Sequence, residues 1–289
     1  MAVRRLGLHT SIAGSLENAA LEALRVGANT FQIFSASPRM WRAAAPDPAQ
    51  VARFRALREK HDLRPLAIHD NYLINLAAGD ESLRRKSVEA FRGEIARALI
   101  IGAEYLVAHP GNSGGRPVEE GIIALVRSLV EAARGLNTKG LTVLLENTVG
   151  AGASLGSRFE ELAAVRQYAA EFSDLEIGYC IDTCHLLAAG FNIATAEGLR
   201  STVAEMDRVL GLGNIPVIHA NDSKMPLGSH VDRHANIGRG HIGEEGFRRI
   251  LNHPKLRARA FILETPHDEP GDDVMNLEAL RRLARVKST

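Results

Sequence analysis

The sequence predicts an α/β fold in which eight parallel strands close into a barrel, and three observations predict it. Eight short apolar, β-branched stretches recur along the 289 residues. Their last residues, at positions 9, 34, 69, 109, 146, 182, 219 and 264, lie 25 to 45 residues apart, room for a loop, a helix and the next strand. The intervening segments carry apolar residues three and four apart, the period of an amphipathic helix.

The first strand is expected at 6–9. Ser15 then caps a helix through Leu24, which Gly27 ends. Strands at 30–34 and 65–69 follow. Val88, Phe91, Ile95 and Leu99 form one helical stripe, with Asp80 as N-cap and Gly102 as stop. The remaining strands fall at 105–109, 141–146, 176–182, 215–219 and 260–264, with helices expected at about 118–135, 157–171, 196–210 and 275–286. Alternation alone also fits a doubly wound open sheet, but eight βα units at this length favour a (β/α)8 TIM barrel. No Pro-, Gly- or Ser-rich stretch and no charge block divides the chain, so residues 1–289 are expected to form a single domain.

Composition narrows the class. A chain 45% hydrophobic and 24% charged is neither disordered nor collagen-like. Its two cysteines, Cys180 and Cys184, are too close together to frame a secreted disulfide scaffold. The opening Met1-Ala2-Val3-Arg4-Arg5 leads into no signal-like apolar region, and no apolar run approaches the roughly 18 residues of a membrane span. A cytoplasmic protein without a membrane partner is expected. The net charge of +1 does not announce nucleic acid, yet a local cluster of bound cations could still attract it.

The informative residues are those that end the strands. His69, His109, Glu146, Asp182, His219 and Glu264 each close an apolar stretch. In a parallel barrel the C-terminal strand ends converge on one face, where active sites sit. One polar residue after a strand commonly serves a loop; six in register argue for a shared site. Asp182-Thr183-Cys184-His185 adds His185, and Asp232-Arg233-His234 adds Asp232 and His234 in the loop after the seventh strand. Imidazoles and carboxylates in this mixture suit zinc, with manganese or iron as alternatives. Nine ligands exceed the needs of one ion. Three divalent ions sharing a bridging carboxylate would use them, and would more than offset the four carboxylates, leaving a cationic mouth suited to a phosphodiester.

The stretches 69–77 (HDNYLINLA), 145–148 (LENT), 180–185 (CIDTCH), 219–224 (HANDSK) and 232–238 (DRHANIG) resemble the endonuclease IV family, the apurinic/apyrimidinic endonucleases of DNA base-excision repair. The resemblance runs from about residue 5 to 285. It implies a TIM barrel holding three zinc ions. Carried onto this sequence, His69, His109 and Glu146 would hold one ion. Glu146, Asp182, His219 and Glu264 would hold a second, and His185, Asp232 and His234 a third. It implies hydrolysis of the phosphodiester 5′ to an abasic site in duplex DNA, leaving a 3′-hydroxyl and a 5′-deoxyribose phosphate. Glu146 would then be catalytic, bridging two ions and orienting the attacking water. Arg39, within 37–41 (SPRMW), and Tyr72 match positions that insert into the bent duplex, and Arg233 is a phosphate-contact candidate. A monomer without nucleotide cofactor is expected. Asn112–Gly115 and Met40 depart from some members, which bears on the loops and not on the metal ligands.

Three other motifs point elsewhere. Gly238-Arg239-Gly240-His241-Ile242-Gly243 fits GxGxxG but follows a polar loop, not a strand. Gly152-Ala153-Ser154-Leu155-Gly156 fits GxSxG without the strand–turn–helix setting of a nucleophile elbow. Cys184 reads as a small packing residue rather than a thiolate ligand. The rival activity is a sugar isomerase or epimerase on a xylose-isomerase-like barrel, which would use Glu146, Asp182, His219 and Glu264 around one ion. It would leave His69, His109, His185, Asp232 and His234 without a task.

Overall fold

A computed structural model describes residues 3–284. Met1, Ala2 and the last two residues of the helix expected at 275–286 lie outside them. In chain order the elements are β1 (Arg5–His9), α1 (Leu16–Arg25), β2 (Thr30–Phe34), α2 (Pro48–Lys60), β3 (Leu66–His69), α3 (Glu81–Ile101) and β4 (Tyr105–Ala108). Then come α4 (Val118–Ala133), β5 (Thr142–Glu146), α5 (Phe159–Ala169), β6 (Glu176–Asp182), α6 (Thr183–Ala188), α7 (Ala196–Val209) and β7 (Val217–His219). The chain finishes with β8 (Asp222–Ser223), β9 (His234–Ala235), α8 (Gly243–Asn252), β10 (Ala260–Leu263) and α9 (Asp272–Ala284). Strands β1 to β7 and β10 form a closed barrel, and β10 pairs with both β1 and β7. All of its ladders are parallel, as a barrel built from βα units requires.

The expected barrel is therefore the observed one, and the caps read from sequence act as caps. The Ser15 side chain accepts from the Asn18 N–H, and Asp80 accepts from Leu83. Gly102 closes α3 in the left-handed conformation that only glycine adopts freely. Three helices go beyond the expectation, among them the six-residue α6 directly after β6. The buried side of α2 includes Arg58, whose guanidinium bonds Glu104 and the Gly102 carbonyl, so its apolar stripe is thin. α8 carries Gly243 and Gly246, and its buried face rests on Phe247, Ile250 and Leu251. No helix among the described residues is long and apolar enough to cross a membrane.

The barrel interior positions the site. Ala67, Val107, Leu144, Cys180, Val217 and Ile262 pack together as a fully buried cluster inside it. Successive side chains of a strand alternate between faces, so the residue two further on points the same way. Those residues are His69, His109, Glu146, Asp182, His219 and Glu264. One apolar layer thus forms the floor, and one layer of ligating groups stands on it.

Candidate metal centre

The nine side chains singled out in the sequence meet at the C-terminal mouth of the barrel. His69, His109 and Glu146 form one group whose ligand atoms all lie within 4.8 Å of one another. Glu146, Asp182, His219 and Glu264 form a second, and His185, Asp232 and His234 a third. Glu146 belongs to the first two. Asp182 approaches the third, with Oδ2 3.6 Å from His234 Nε2. The deep ligands His69, Glu146, Asp182, His185 and His219 are buried, whereas the Asp232 side chain is 52% exposed and that of His109 39%. The cluster therefore has a closed floor and an open lip, bordering a cavity of about 390 Å³ that Phe34 and Tyr72 also line.

Local structure brings His185 in. Asp182 is the N-cap of α6, and its Oδ1 accepts the His185 N–H at 2.8 Å. Asp-x-x-His at a helix start thus places carboxylate and imidazole in one turn. His234 arrives on the short antiparallel ladder of β8 and β9, where Ser223 pairs with His234.

Hydrogen bonds fix which ring nitrogen faces the cluster. His69 Nδ1 donates to the Asp70 carbonyl at 2.9 Å, His185 Nδ1 to the Asn147 carbonyl at 2.8 Å, and His234 Nδ1 to the Glu264 carbonyl at 2.9 Å. A carbonyl only accepts, so each Nδ1 bears hydrogen and each Nε2 is the ring atom turned toward carboxylates. His69 Nε2 lies 3.1 Å from Glu146 Oε2, and His185 Nε2 lies 3.3 Å from Asp232 Oδ2. His234 Nε2 is buried without a hydrogen-bond partner, 3.3 Å from Asp232 Oδ1. Imidazole nitrogens this close to carboxylate oxygens need a cation between them, a proton in the metal-free protein or a metal ion in its place. The donor set and its backbone-anchored imidazoles fit divalent metal ions.

The titration of these groups has the same origin. Burial opposes charge on His69 and His219, but the surrounding acids overcome it and hold both well above the usual imidazole value. Burial likewise opposes charge on His185, and Asp182, Asp232 and Glu146 raise it to about 10. Glu146 is held well below the carboxylate range: burial works against its ionisation, and His219 and His109 outweigh it. His109 is pushed down by burial and by its imidazole neighbours.

Several supporting residues escaped sequence reasoning. Gln32, inward on β2, accepts from His219 Nε2 at 2.9 Å and donates to Glu264 Oε1 at 2.6 Å. This leaves His219 Nδ1 facing Glu146 at 3.0 Å and Glu264 at 3.2 Å. The Asn221 amide donates to Asp182 Oδ2 at 2.6 Å, and its oxygen accepts the Glu264 N–H at 2.8 Å. Asn147 accepts the Asp182 N–H at 2.7 Å. A glutamine inside the apolar run TFQIF was the available signal for Gln32. Gln32→Leu is expected to weaken zinc binding by about 10- to 100-fold, the usual cost of losing an orienting partner. Competition with a colorimetric chelator measures it, and wild-type affinity in the variant would remove Gln32 from this role.

Cys184 also lies within ligand distance of Asp182 and His234. Burial pushes its thiol up to about 12, and it points to the Arg233 carbonyl at 3.8 Å, the setting of a packed thiol. Arg39 and Tyr72 are exposed at the mouth, on loops joined where the Tyr72 N–H meets the Pro38 carbonyl at 3.2 Å. The Tyr72 ring packs edge-on to Phe34 with centroids 5.4 Å apart. Arg233 is exposed, with its guanidinium on the Asp232 carbonyl at 2.9 Å.

Known proteins share this architecture. The family described as xylose isomerase-like TIM barrel matches residues 20–285. A probable endonuclease 4 of Solibacter usitatus is 62% identical over 283 residues, which cover 98% of each chain. The crystal structure of endonuclease IV from Thermus thermophilus superposes with a TM-score of 0.85 at 40% identity, over 96% of this chain and 98% of that one. A D-tagatose 3-epimerase-like protein covers 96% of both chains with a TM-score of 0.69, but at 20% identity the likeness is one of fold alone. With full-length identity this high, the chain belongs to the endonuclease IV family of xylose isomerase-like TIM barrels.

Proposed function

We propose that the chain is a zinc-dependent apurinic/apyrimidinic endonuclease of base-excision repair. It hydrolyses the phosphodiester 5′ to an abasic site in duplex DNA and leaves a 3′-hydroxyl and a 5′-deoxyribose phosphate. It acts in the cytoplasm as a monomeric, single-domain enzyme without a nucleotide cofactor. The observation that carries the reading is the gathering of three ligand groups, joined by Glu146 and Asp182, at one barrel mouth. Divalent ions bound there supply positive charge for phosphate oxygens and make water acidic enough to react at neutral pH.

The chain's own residues prepare that chemistry. His69, His109 and Glu146 hold the first ion, Glu146, Asp182, His219 and Glu264 the second, and His185, Asp232 and His234 the third. Glu146 is the catalytic carboxylate: its oxygens reach both of the first two groups and can orient a water between them. The more exposed His109 and Asp232 stand where a backbone phosphate would arrive. Tyr72 and Arg39 flank the opening and would occupy the gap left by a displaced nucleotide, and Arg233 would meet a phosphate. A one-metal sugar isomerase would be served by the second group alone and gives the third no role.

The test is incision of a duplex oligonucleotide carrying one tetrahydrofuran abasic analogue, without added magnesium. A single cut 5′ to the lesion is expected, abolished slowly by a chelator and restored by zinc. The analogue resists β-elimination, so a lyase cannot give this product. Zinc-loaded protein that leaves the analogue intact would sink the nuclease reading and direct attention to sugars.

A further inference from the structure

The glycine motif at 238–243 has a ligand within the chain. Asp222, fully buried on β8, accepts five backbone N–H bonds. Its Oδ2 receives Gly238 and Gly240 at 3.0 Å and Gly243 at 3.2 Å. Its Oδ1 receives Ser223 at 2.8 Å and Ile242 at 2.9 Å. No cationic side chain among the described residues forms an ion pair with it. The charge is met by N–H dipoles, as in the nests that bind phosphate, and by the start of α8, whose own N-cap residue Ile242 offers no side-chain bond. Close approach is required of Gly240: a Cβ there would fall 2.3 Å from the Ser223 carbonyl oxygen.

This carboxylate is placed to control the third ligand group. Asp222 pairs with Ala235 and Ser223 with His234, so the strand that carries Asp222 also aligns His234. The chain leaves His234 through Asn236 and Ile237 and is pinned on Asp222 from Gly238 onward. Upstream, the Lys224 N–H holds the Arg233 carbonyl at 2.9 Å, between Asp232 and His234. We propose that Asp222 is a positioning residue for the metal ion of His185, Asp232 and His234, acting through the glycine loop it binds. This rests on the metal reading above. An amide cannot replace the carboxylate, because one of its two ends is a donor. Asp222→Asn must leave either Ser223 and Ile242, or Gly238, Gly240 and Gly243, facing an NH2 group.

The experiment titrates zinc into stripped wild-type protein and into Asp222→Asn. Wild type is expected to fill all its sites. The variant should bind one ion about 10- to 100-fold more weakly and the rest unchanged. A variant that binds every zinc as wild type does would overturn the proposal. Should Asp222→Asn fail to fold, hydrogen exchange on wild type decides. If the loop positions the ion, the ion must reciprocally stabilise the loop. Zinc should then slow exchange at 238–243 more than in α4, and equal protection would overturn the proposal. Wild type that binds no zinc at all overturns the metal reading itself, a result distinct from either.

Discussion

Glu146→Gln is expected to lower kcat/KM on an abasic-site duplex by about 100- to 1,000-fold, in the range seen when a preorganised electrostatic group is removed from an active site. The residue has no equivalent in the cluster. Its Oε2 lies 3.1 Å from His69 and 3.6 Å from His109. Its Oε1 lies 3.0 Å from His219 and 3.5 Å from His185. Four imidazoles therefore converge on one carboxylate. Glutamine keeps the shape but removes the charge and turns a donor toward one pair of rings, so the barrel should fold while the first two ion sites lose their common ligand. Steady-state incision together with metal content per chain measures the effect. A variant within tenfold of wild type at full metal content would deny Glu146 its central place.

The second large effect is on pH. Metal ions compete with protons for the same lone pairs, and the structure sets the direction. The folded protein raises His185 from 6.5 to about 10, and His69 and His219 also rise well above their ordinary value. Protons on these rings stabilise the stripped protein fully below the unfolded value, near pH 6.5. That contribution is lost as pH climbs through the folded values. Zinc must displace the same protons, so its affinity should increase about tenfold per pH unit for each proton released. Raising the pH from 6.5 to 8.5 should thus widen the gap in Tm between zinc-loaded and chelated protein. Thermal melts across that range measure it, and a gap that stays constant or narrows would mean the rings bind neutral, without proton release.

The parts of the site legible in the sequence are those tied to a period. His69, His109, Glu146, Asp182, His219 and Glu264 each follow an inward apolar residue by two positions, so the strand repeat alone aligns them. Asp182 and His185 were legible as a pair by their spacing, but the helix start that brings them together, α6, was not read from the sequence. Gln32, Asn147 and Asn221 were not, because an amide acquires meaning only from what it faces. Asn221 joins Asp182 to Glu264, two residues 82 positions apart in the chain. The rejection of a dinucleotide site at 238–243 was within reach of context, but the internal anion there was not: Asp222 lies 16 to 21 residues upstream of its glycine-loop donors. α2 went unread because Arg58 takes a core position on it, and α8 because Gly243 and Gly246 look like helix breakers.

The closure of the barrel by β10 bears on biosynthesis. β10 seals the cylinder against β1, and Glu264 follows directly after it. A nascent chain still lacking this strand has an open sheet with two unpaired edges and a ligand set that is one carboxylate short. Asn221, which donates to Asp182, also lacks the Glu264 N–H that its oxygen accepts. The complete ligand set thus becomes available only once Glu264 has left the ribosome, and fragments terminated before it would carry the histidines without the assembled site.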